Sequence, residues 1–424
     1  MLLSTNRTTK RILAAGTVVS NDTWTTRLNN NDLVLGPTGA GKTRGYVKPN
    51  LLQANESVVV TDTKGNLVHE LGPFLRRQGY RVLHLDFTDL KGASGYDPFD
   101  FVHIDPRTGE YSEQDIMRIA DVLCPMEDPS QPFWDHAAKM VLSSLIGYVL
   151  TALPPEQRSL EYVIAMIGEL QSGFVEELMC ELEAERPDCM AVRKFRSFRT
   201  MQKAEKMYAS ICGILAEKLD PLSFDGALEM LKKRERVDMT RIGREKTAVF
   251  LTVSDTDRSM DKLVTLFYTQ ALQELCRCAD RCPGNALPVP VRLYLDDFAT
   301  NCRIPDFDRL ISVIRSRGIS VSVILQNLTQ LEDLYGHAKA MTIAANCDHV
   351  IYMGGQDPDT ARFIAGRVNR TVDSVIAMPL DRVYVIERGK KAMLAAPYDL
   401  REHARFPELA AEPAPEYNSF EAGT

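Results

Sequence analysis

Short apolar runs alternate with a helix-like segment in the first part of the chain. DLVLG at 32–36, SVVVTD at 57–62 and RVLHLDF at 81–87 have the length of strands, while NLVHELGPFLRRQ at 66–78 has the spacing of an amphipathic helix. Strands buried on both faces form nearly continuous apolar runs, because helices cover both faces of a parallel sheet. The alternation therefore predicts parallel βαβ units.

The pattern changes between residues 112 and 240. β-branched runs disappear there, and long amphipathic segments such as FWDHAAKMVLSSLIGYVL at 133–150 take their place. The earlier alternation then resumes with TAVFLTVS at 247–254, VRLYLD at 291–296, ISVSVILQ at 319–326 and DHVIYMGG at 348–355. One domain is therefore expected to interrupt another.

The domain organisation follows from these changes of pattern. We expect residues 31–111 and 241–405 to form an α/β domain with a largely parallel sheet, and residues 112–240 to form an inserted all-α domain. Residues 1–30 are an N-terminal segment. Residues 406–424 are acidic, contain prolines and lack any period, so we expect a flexible acidic tail.

Composition limits the class of protein. With 424 residues and 45% hydrophobic residues, the chain can bury a sizeable core and exceeds one average domain. MVLSSLIGYVLTAL at 140–153 is too short to cross a bilayer and reads as a buried helix. The formal charge of −7 argues against a protein that coats nucleic acid over its whole surface, but is compatible with a local basic channel. The nine cysteines lack metal-ligand spacing, so we expect reduced thiols. The sequence has no membrane-spanning run and no convincing signal-peptide cleavage site, so we expect a cytoplasmic protein.

GPTGAGKT at 36–43 matches the phosphate-binding pattern G-x-x-x-x-G-K-[ST] and lies between a predicted strand and a predicted helix. Small residues let successive backbone N–H groups surround phosphate oxygens at a helix N-terminus. Lys42 can reach the β and γ phosphates, and the Thr43 hydroxyl can join the ligands of Mg²⁺. A glycine-rich turn that binds nothing would not explain this Lys-Thr pair. The predicted nucleotide-binding residues are Gly36, Pro37, Thr38, Gly39, Ala40, Gly41, Lys42 and Thr43.

VRLYLDDFAT at 291–300 is an apolar run that stops at two adjacent aspartates. A P-loop NTPase needs a second strand that ends in an acid to help hold Mg²⁺, and Asp296 fits this role. The next position usually carries a Glu that orients the attacking water. Here it is Asp297, whose carboxylate is closer to the backbone by roughly 1.5 Å. Such a displacement can lower the rate about a hundredfold, so we expect slow hydrolysis unless a backbone shift or a partner restores the reach. The alternative is that both aspartates only solvate a strand end.

Several stretches together resemble one known family. These are LVLGPTGAGKTRGYVKPNLLQ, VVVTDTKGNL, GYDPFDF, PFWDHAAKMVL, LDDFATNCRIPDFDRLISVIRSRGISVSVILQNLTQLEDLYG and ANCDHVIYMGGQDPDTA. In this order they resemble the TraG-type type IV coupling proteins, which are the ATPases of conjugative DNA transfer, over about residues 30 to 400. The resemblance implies a RecA-like P-loop NTPase domain interrupted by an all-α domain. It also implies ATP and Mg²⁺ as cofactors, and a homo-hexameric ring around single-stranded DNA that delivers a relaxase-bound strand to a type IV secretion channel.

The resemblance also assigns roles by position. Lys42 and Thr43 look like the Walker A pair, and Asp296 with Asp297 like the Walker B pair. Gln326 looks like the family's motif III glutamine, which is suited to sensing the γ phosphate.

The same resemblance places an arginine finger near residue 315. Arg315 matches the position of a finger that would reach the nucleotide of a neighbouring subunit, where it would stabilise charge that develops during phosphoryl transfer. Arg317 is two residues away and remains an alternative. Without the family pattern, we would interpret either arginine as a residue placed near a helix C-terminus because the helix dipole favours positive charge there.

The sequence departs from the family at its beginning. Members usually begin with transmembrane helices that anchor the ring, and this sequence contains none. We therefore expect either a truncated form or a soluble form at the inner face of the bacterial cell membrane, where it would depend on a separate membrane partner.

Two other functions remain open. The chain could be a weakly hydrolysing nucleotide-binding receptor that docks relaxase or effector proteins, chiefly through its helical domain. It could also be an FtsK-like translocase of double-stranded DNA, since that class shares the motor core. DNA-stimulated ATP turnover separates a motor from a receptor, and strand preference separates the two motors.

Two weaker signals accompany these motifs. Asp62 and Lys64 follow a strand that we expect beside the phosphate loop, where they would touch nucleotide or Mg²⁺; a strand-end turn is an equal alternative. RKFRSFRTMQKAEK at 193–206 interleaves basic residues with Phe195 and Phe198. This segment would contact DNA if the aromatic rings were exposed. We favour a helix with a solvated charged face and buried phenylalanines.

Overall fold

The computed structural model describes residues 9–88, 94–233, 235–298 and 302–410. These residues form two compact units. The described residues within Met1–Asp86, Asp238–Thr256 and Leu272–Thr424 form the α/β unit, and those within Phe87–Val237 and Asp257–Ala271 form the helical unit. The helical unit therefore begins at Phe87, earlier than the boundary at 111/112 that the sequence pattern predicts. It also includes Asp257–Ala271, which contains part of a later helix. A packing contact explains this, because the Tyr96 ring lies edge-on against Phe267, with 5.3 Å between centroids.

In the part of the chain that the structure describes, the α/β unit contains a nine-stranded sheet and a separate two-stranded hairpin near the N-terminus. The strands are β1 Lys10–Ala14, β2 Thr17–Ser20, β3 Asp32–Leu35, β4 Ser57–Asp62, β5 Arg81–Asp86, β6 Thr247–Thr252, β7 Val291–Leu295, β8 Ile319–Leu325, β9 His349–Tyr352, β10 Val383–Glu387 and β11 Met393–Ala395. The large sheet has the order β11-β10-β9-β3-β8-β7-β4-β6-β5. Neighbours from β9 to β5 are parallel, while β10 and β11 add an antiparallel edge. The prediction of an α/β fold with a largely parallel sheet is confirmed.

Helices surround this sheet, and most of its strands are buried. Every residue of β3, β4, β6, β7, β8 and β9 is buried, as expected for parallel strands covered on both faces. The α-helices of the unit are Thr23–Thr26, Lys48–Gln53, Asn66–Arg77, Met239–Ile242, Phe307–Val313, Thr329–Tyr335, His337–Ala345, Pro358–Val368, Val372–Ile376 and Phe406–Ala410. A π-helical turn, Thr43–Val47, precedes Lys48–Gln53, and the long helix Asp261–Asp280 contributes residues to both units.

Helices dominate the second unit. They are Glu113–Leu123, Pro132–Ala152, Leu160–Gly168, Phe174–Glu185, Met190–Arg199, Glu205–Leu219 and Asp225–Lys232. Pro132–Ala152 is buried along most of its length, which agrees with the interpretation of its apolar run as a core helix. Among the helices that the structure describes, none has the length and hydropathy needed to cross a membrane.

The basic helix Met190–Arg199 has an ion-paired outer face. Arg196 donates to Glu183 at 2.6 Å, and Arg199 donates to the same carboxylate at 3.0 Å. Phe195 and Phe198 are buried. This agrees with a charged helix face over buried aromatic rings, and the rings are not accessible for stacking on bases.

Both chain ends of the α/β unit pack more closely than the sequence pattern suggests. Leu13 and Ala14 of the N-terminal hairpin belong to the buried core cluster. Phe406–Ala410 is a short helix, and its Phe406 and Leu409 pack against the same cluster. The beginning of the predicted tail is therefore ordered, because apolar side chains hold it on the core. The rest of that prediction, residues 411–424, lies outside the described residues.

A network of charged side chains lies buried at the amino-terminal end of β3. Asp32 is fully buried and accepts hydrogen bonds from Arg11 Nε at 2.8 Å and Nη2 at 3.0 Å. It also accepts from Arg292 Nη1 at 3.2 Å and from the Tyr46 hydroxyl at 2.6 Å. Burial alone would raise the pKa of Asp32, but the two guanidinium groups outweigh it and lower the pKa, so the carboxylate is ionised.

The charges of this network balance. Arg292 Nε donates to Glu56 at 2.6 Å, so two arginines face two carboxylates. Burial and the neighbouring Arg11 lower the pKa of His349 to about 4, which leaves that imidazole neutral. Buried charges are tolerated only when they are paired and hydrogen-bonded in this way.

We expect Arg292→Leu to lower the free energy of unfolding by about 3–5 kcal/mol, because it leaves Asp32 and Glu56 buried without one of their cations. Urea denaturation followed by circular dichroism at pH 7 measures this change. Arg401→Leu is the matched control, since Arg401 also pairs with an aspartate but its side chain is 68% exposed. That variant should change the free energy of unfolding far less than Arg292→Leu does, because exposed ion pairs contribute little to stability. Equal losses in the two variants would contradict the prediction.

Candidate active site

Three adjacent strands bring the predicted motifs to one edge of the sheet. β8 lies between β3 and β7, and all three run parallel. At their carboxyl ends, β3 is followed by the loop at 36–43, β8 by Gln326 and β7 by Asp296. Ligands of open α/β sheets bind in the crevice at this edge. The structure therefore brings the Walker A, Walker B and motif III positions together.

The phosphate loop depends on its glycines. Gly39 and Gly41 have φ values of 83° and 88°, in the left-handed region that residues with a side chain rarely adopt. At Gly36, a Cβ atom would lie 2.9 Å from the Cβ atom of Met353, because β3 and the end of β9 approach closely there. Gly36 N–H also donates to the Leu325 carbonyl at 3.1 Å, which fixes the start of the loop against β8.

The helix that follows the loop starts with the π-helical turn Thr43–Val47 and continues as Lys48–Gln53. Its first turn is joined to the loop, since Gly45 N–H donates to the Gly41 carbonyl at 2.6 Å. The partial positive charge of a helix N-terminus therefore faces the loop, which suits an anion.

Lys42 lies across its own loop. Its Nζ donates to the carbonyls of Gly36 at 2.7 Å and Pro37 at 3.2 Å, and the residue is only 8% exposed. Phosphate oxygens in the loop can take over these hydrogen bonds without a large movement of the side chain. The ammonium group is therefore already in place for phosphate binding.

Thr43 and Asp296 meet as expected for two residues that share a Mg²⁺ ion. Thr43 Oγ1 donates to Asp296 Oδ2 at 2.9 Å. Burial and the negative charge of Asp297 raise the pKa of Asp296 to about 6, although the Thr43 hydroxyl and Lys42 oppose this rise. Hydroxyl and carboxylate oxygens are ligands that suit Mg²⁺, and a cation here would favour the ionised carboxylate. The donor set fits the ion.

Asp297 has an unusual backbone. Its φ is 46°, and its N–H donates to Asp296 Oδ1 at 3.1 Å. Asp tolerates the left-handed region better than most residues because its short side chain can hydrogen-bond locally. Asp297 therefore combines a left-handed backbone with a position directly after Asp296. Strained backbone of this kind is typical of functional sites.

The two arginines are not brought to this site. Both precede β8, whose seven residues span about 20 Å, so they lie at the opposite edge of the sheet. Arg315 is exposed and donates from Nη2 to the Thr23 carbonyl at 2.8 Å. Arg317 is held by Asp280 through two hydrogen bonds, from Nε at 2.8 Å and Nη2 at 3.2 Å. Neither arginine can reach the phosphate loop of its own chain.

The prediction that Asp62 and Lys64 follow a strand beside the phosphate loop was wrong. β4 lies between β7 and β6, and two strands separate it from β3. The Asp62 carboxylate accepts the Leu67 N–H at 2.6 Å and so holds the start of the helix Asn66–Arg77. The order of strands in a sheet is set by long-range packing, so the local pattern did not reveal it.

Tyr46 was missed by the sequence reasoning. Its hydroxyl lies between the phosphate-loop helix and the buried network at Asp32. A tyrosine among the apolar residues of a helix and an aspartate at the start of an apolar strand were the available signals, since buried polar groups need partners.

The wider similarity of the chain agrees with this site. The family described as type IV secretory system conjugative DNA transfer matches residues 3–375. The chain belongs to this family. Protein VirD4 of Rhizobium radiobacter is 23% identical over 339 residues, which cover 79% of this chain and 47% of VirD4. Conjugal transfer protein TraG of Escherichia coli is 22% identical over 337 residues, covering 74% and 51%. The resemblance to TraG-type coupling proteins is confirmed, and this family member spans about half the length of these curated relatives.

Solved structures agree on the fold of this family member. The conjugative coupling protein TrwBdeltaN70, in a trigonal form with sulphate, has a TM-score of 0.69 and 17% sequence identity, and the alignment covers 93% of this chain and 90% of TrwBdeltaN70. Coupling protein TrwB in complex with ADP and Mg²⁺ has a TM-score of 0.67 with the same identity, covering 93% and 91%. These likenesses show that the chain shares the α/β fold of TrwB.

We expect Asp296→Asn to raise the stability of the nucleotide-free protein at pH 7.5, by on the order of 2 kcal/mol. The pKa of Asp296 is raised from 3.8 to about 6 on folding, so its protonated form is favoured in the folded state. Its contribution to stability is complete below pH 3.8 and is lost as the pH rises through 6. Asn stays neutral, so the advantage of the variant should shrink between pH 7.5 and pH 4.

Thermal denaturation over this pH range measures the effect. Asp381→Asn is the control, because Asp381 has a side chain that is 77% exposed. If the stability advantage of Asp296→Asn over the parent protein grew as the pH fell, the raised pKa of Asp296 could not be its cause.

Proposed function

We propose that this member of the conjugative DNA transfer family is an ATPase that translocates single-stranded DNA as a coupling protein. ATP and Mg²⁺ are its cofactors in this proposal. The observation that carries it is the convergence of Lys42, Thr43 and Asp296 at one sheet edge, with a hydrogen bond between the two candidate Mg²⁺ ligands. The TrwB structures with ADP and Mg²⁺ and with an ATP analogue support the same assignment.

The residues of the loop would bind and orient the triphosphate. The glycine backbone and the helix N-terminus surround the phosphates, and Lys42 neutralises charge on the β and γ phosphates. Thr43 and Asp296 would hold Mg²⁺, which supplies charge stabilisation during phosphoryl transfer when it is bound. Because Asp296 is 7% exposed, its carboxylate acts in a site with little water, where such electrostatic interactions are strong.

Asp297 and Gln326 would act on the attacking water and on the γ phosphate. Asp297 follows Asp296 directly in the chain, so its side chain starts beside the proposed Mg²⁺ site. Gln326 follows β8, at the sheet edge between the loop and Asp296, and its N–H donates to Gln330 Oε1 at 3.0 Å. This central place suits a residue that senses whether a γ phosphate is present.

Arg315 would complete the site of a neighbouring subunit in a homo-hexamer. Its guanidinium group is exposed at the edge opposite its own phosphate loop, whereas Arg317 is held by Asp280. Trp24 stands next to the Thr23 carbonyl that holds Arg315, and it is 78% exposed. Large exposed aromatic residues mark protein interfaces, which supports a subunit contact here.

Membership of the family supports a proposal for the partners. The motor would receive a single-stranded DNA substrate bound to relaxase and other relaxosome proteins, and pass it to type IV secretion components. A membrane partner protein would hold it at the inner face of the bacterial cell membrane. A receptor that hydrolyses weakly is the second candidate, favoured by the short carboxylate of Asp297.

Single-stranded DNA is expected to stimulate steady-state ATP hydrolysis. Lys42→Ala should reduce turnover by about a hundredfold or more, because it removes a cation from the transferring phosphates. Lys48→Ala is the matched control, since Lys48 lies in the helix after the loop but pairs with Glu70. Double-stranded DNA of the same length distinguishes an FtsK-like motor by stronger stimulation.

Asp297→Glu separates the motor from the receptor. We expect no gain in hydrolysis, because the left-handed backbone at position 297 disfavours Glu. A silent parent protein together with an active Asp297→Glu variant would favour the receptor instead.

Mixing two inactive variants tests the role of Arg315 between subunits. Arg315→Ala subunits keep the phosphate loop, and Lys42→Ala subunits keep the finger, so rings of both should recover activity at interfaces that combine them. Random mixing at equal amounts predicts roughly a quarter of the parental turnover. Arg317→Ala is expected to remain active on its own. Full activity of Arg315→Ala alone, or no recovery in the mixture, would argue against the assignment.

A further inference from the structure

Tyr46 has a polar hydroxyl at a buried position next to the phosphate loop, and the local sequence pattern does not explain it. It lies in the π-helical turn Thr43–Val47, immediately after the phosphate loop, and it is fully buried. π-helical turns are rare and are found frequently at functional sites. A fully buried tyrosine hydroxyl needs hydrogen-bond partners, and these partners define its role.

Its contacts reach three different strands. The hydroxyl donates to Asp32 Oδ2 at 2.6 Å and shares a hydrogen bond with Ser322 Oγ at 2.8 Å. Its ring lies edge-on against Tyr294, with centroids 6.3 Å apart. Asp32 begins β3, Ser322 lies in β8, and Tyr294 lies in β7 two residues before Asp296.

These are the strands whose carboxyl ends carry the candidate nucleotide site. β3 leads into the phosphate loop, β8 into Gln326 and β7 into Asp296. Tyr46 therefore connects the first helical turn after the loop to all three of these strands. The same turn begins with Thr43, so a movement of Tyr46 would carry Thr43 with it.

The hydroxyl is a permanent donor. Burial and the Asp32 carboxylate raise the pKa of Tyr46 well above its ordinary value, so the group keeps its proton. The acceptor is an ionised carboxylate held by Arg11 and Arg292. Hydrogen bonds to charged acceptors are stronger than neutral ones, so this contact is a firm anchor.

We propose that Tyr46 is a positioning residue for Mg²⁺-nucleotide binding. By anchoring the turn Thr43–Val47 to Asp32 and Ser322, it holds the Thr43 hydroxyl at hydrogen-bonding distance from Asp296. This inference rests on the proposed nucleotide-binding function. It assigns Tyr46 no contact with the nucleotide, and its effect passes through Thr43.

The test compares Tyr46→Phe with Tyr80→Phe in the full chain. Tyr80 is a matched control because it is also a buried tyrosine of the α/β unit, and its hydroxyl donates to the Glu56 carbonyl at 2.9 Å. Affinity for ATP is measured by calorimetry with and without Mg²⁺, and the Mg²⁺ dependence of hydrolysis is measured alongside. Thermal denaturation records the stability of each variant.

Tyr46→Phe should raise the Mg²⁺ concentration for half-maximal activity by about tenfold and lower kcat by about tenfold, since small displacements at a reacting site lower rates strongly. ATP affinity without Mg²⁺ should change little. Tyr80→Phe should lose thermal stability but keep the parental Mg²⁺ dependence. If Tyr46→Phe keeps that dependence too, or if both variants shift it equally, Tyr46 has only a structural role and the inference is overturned.

Ser322→Ala provides a second route if Tyr46→Phe fails to fold. It removes the other partner of the hydroxyl, and it should raise the Mg²⁺ requirement in the same direction by a smaller factor. Ser320→Ala, at another buried serine of β8, is its control and should leave the requirement unchanged. An unchanged requirement in Ser322→Ala overturns the inference. A parent protein that binds no ATP at all would instead reject the proposed function, so the two failures are distinguishable.

Discussion

The α/β unit is organised around one buried negative charge. The Asp32 carboxylate is fully excluded from water, so it is stable only while Arg11 and Arg292 surround it. Arg11 lies in the N-terminal hairpin and Arg292 in β7, so this requirement fixes the hairpin on the sheet and fixes β7 relative to β3. Asp32 lies at the opposite end of β3 from the phosphate loop, and Tyr46, in the first helical turn after the loop, donates a hydrogen bond to Asp32. The positions of the site residues therefore depend in large part on this buried network.

The opposite end of the same strands has features that cost stability. Burial of Asp296 beside Asp297 raises the pKa of Asp296, which means that the ionised form is disfavoured in the absence of a cation. Asp297 also adopts a backbone conformation that is costly for most residues. A fold can maintain such features only when the surrounding structure is firmly held, and the paired charges at the amino-terminal edge provide part of that support.

Much of this arrangement was predictable because local sequence patterns carry it. The runs at 32–36, 57–62 and 291–296 are all strands in the structure, and the glycines of the phosphate loop have the conformations that the motif requires. The order of strands was not predictable, since it depends on contacts between distant segments. The placement of β4 away from the phosphate loop is an example. The buried pairing of Arg11 with Asp32 was missed for the same reason, because a charged residue at the start of an apolar run does not reveal its distant partner.

The position of the arginines has a consequence for how such a chain can work. Arg315 and the phosphate loop lie at opposite edges of one sheet, about 20 Å apart along β8, so a single chain cannot use both for one nucleotide. Under the proposed function these two edges would be complementary surfaces of one subunit, and such surfaces favour head-to-tail contacts, which close into rings when the rotation between subunits allows it. Under the proposed function, each nucleotide would then lie between two subunits. Hydrolysis at one site would depend on the placement of its neighbour, and this dependence would allow subunits of a ring to act in sequence on one DNA strand.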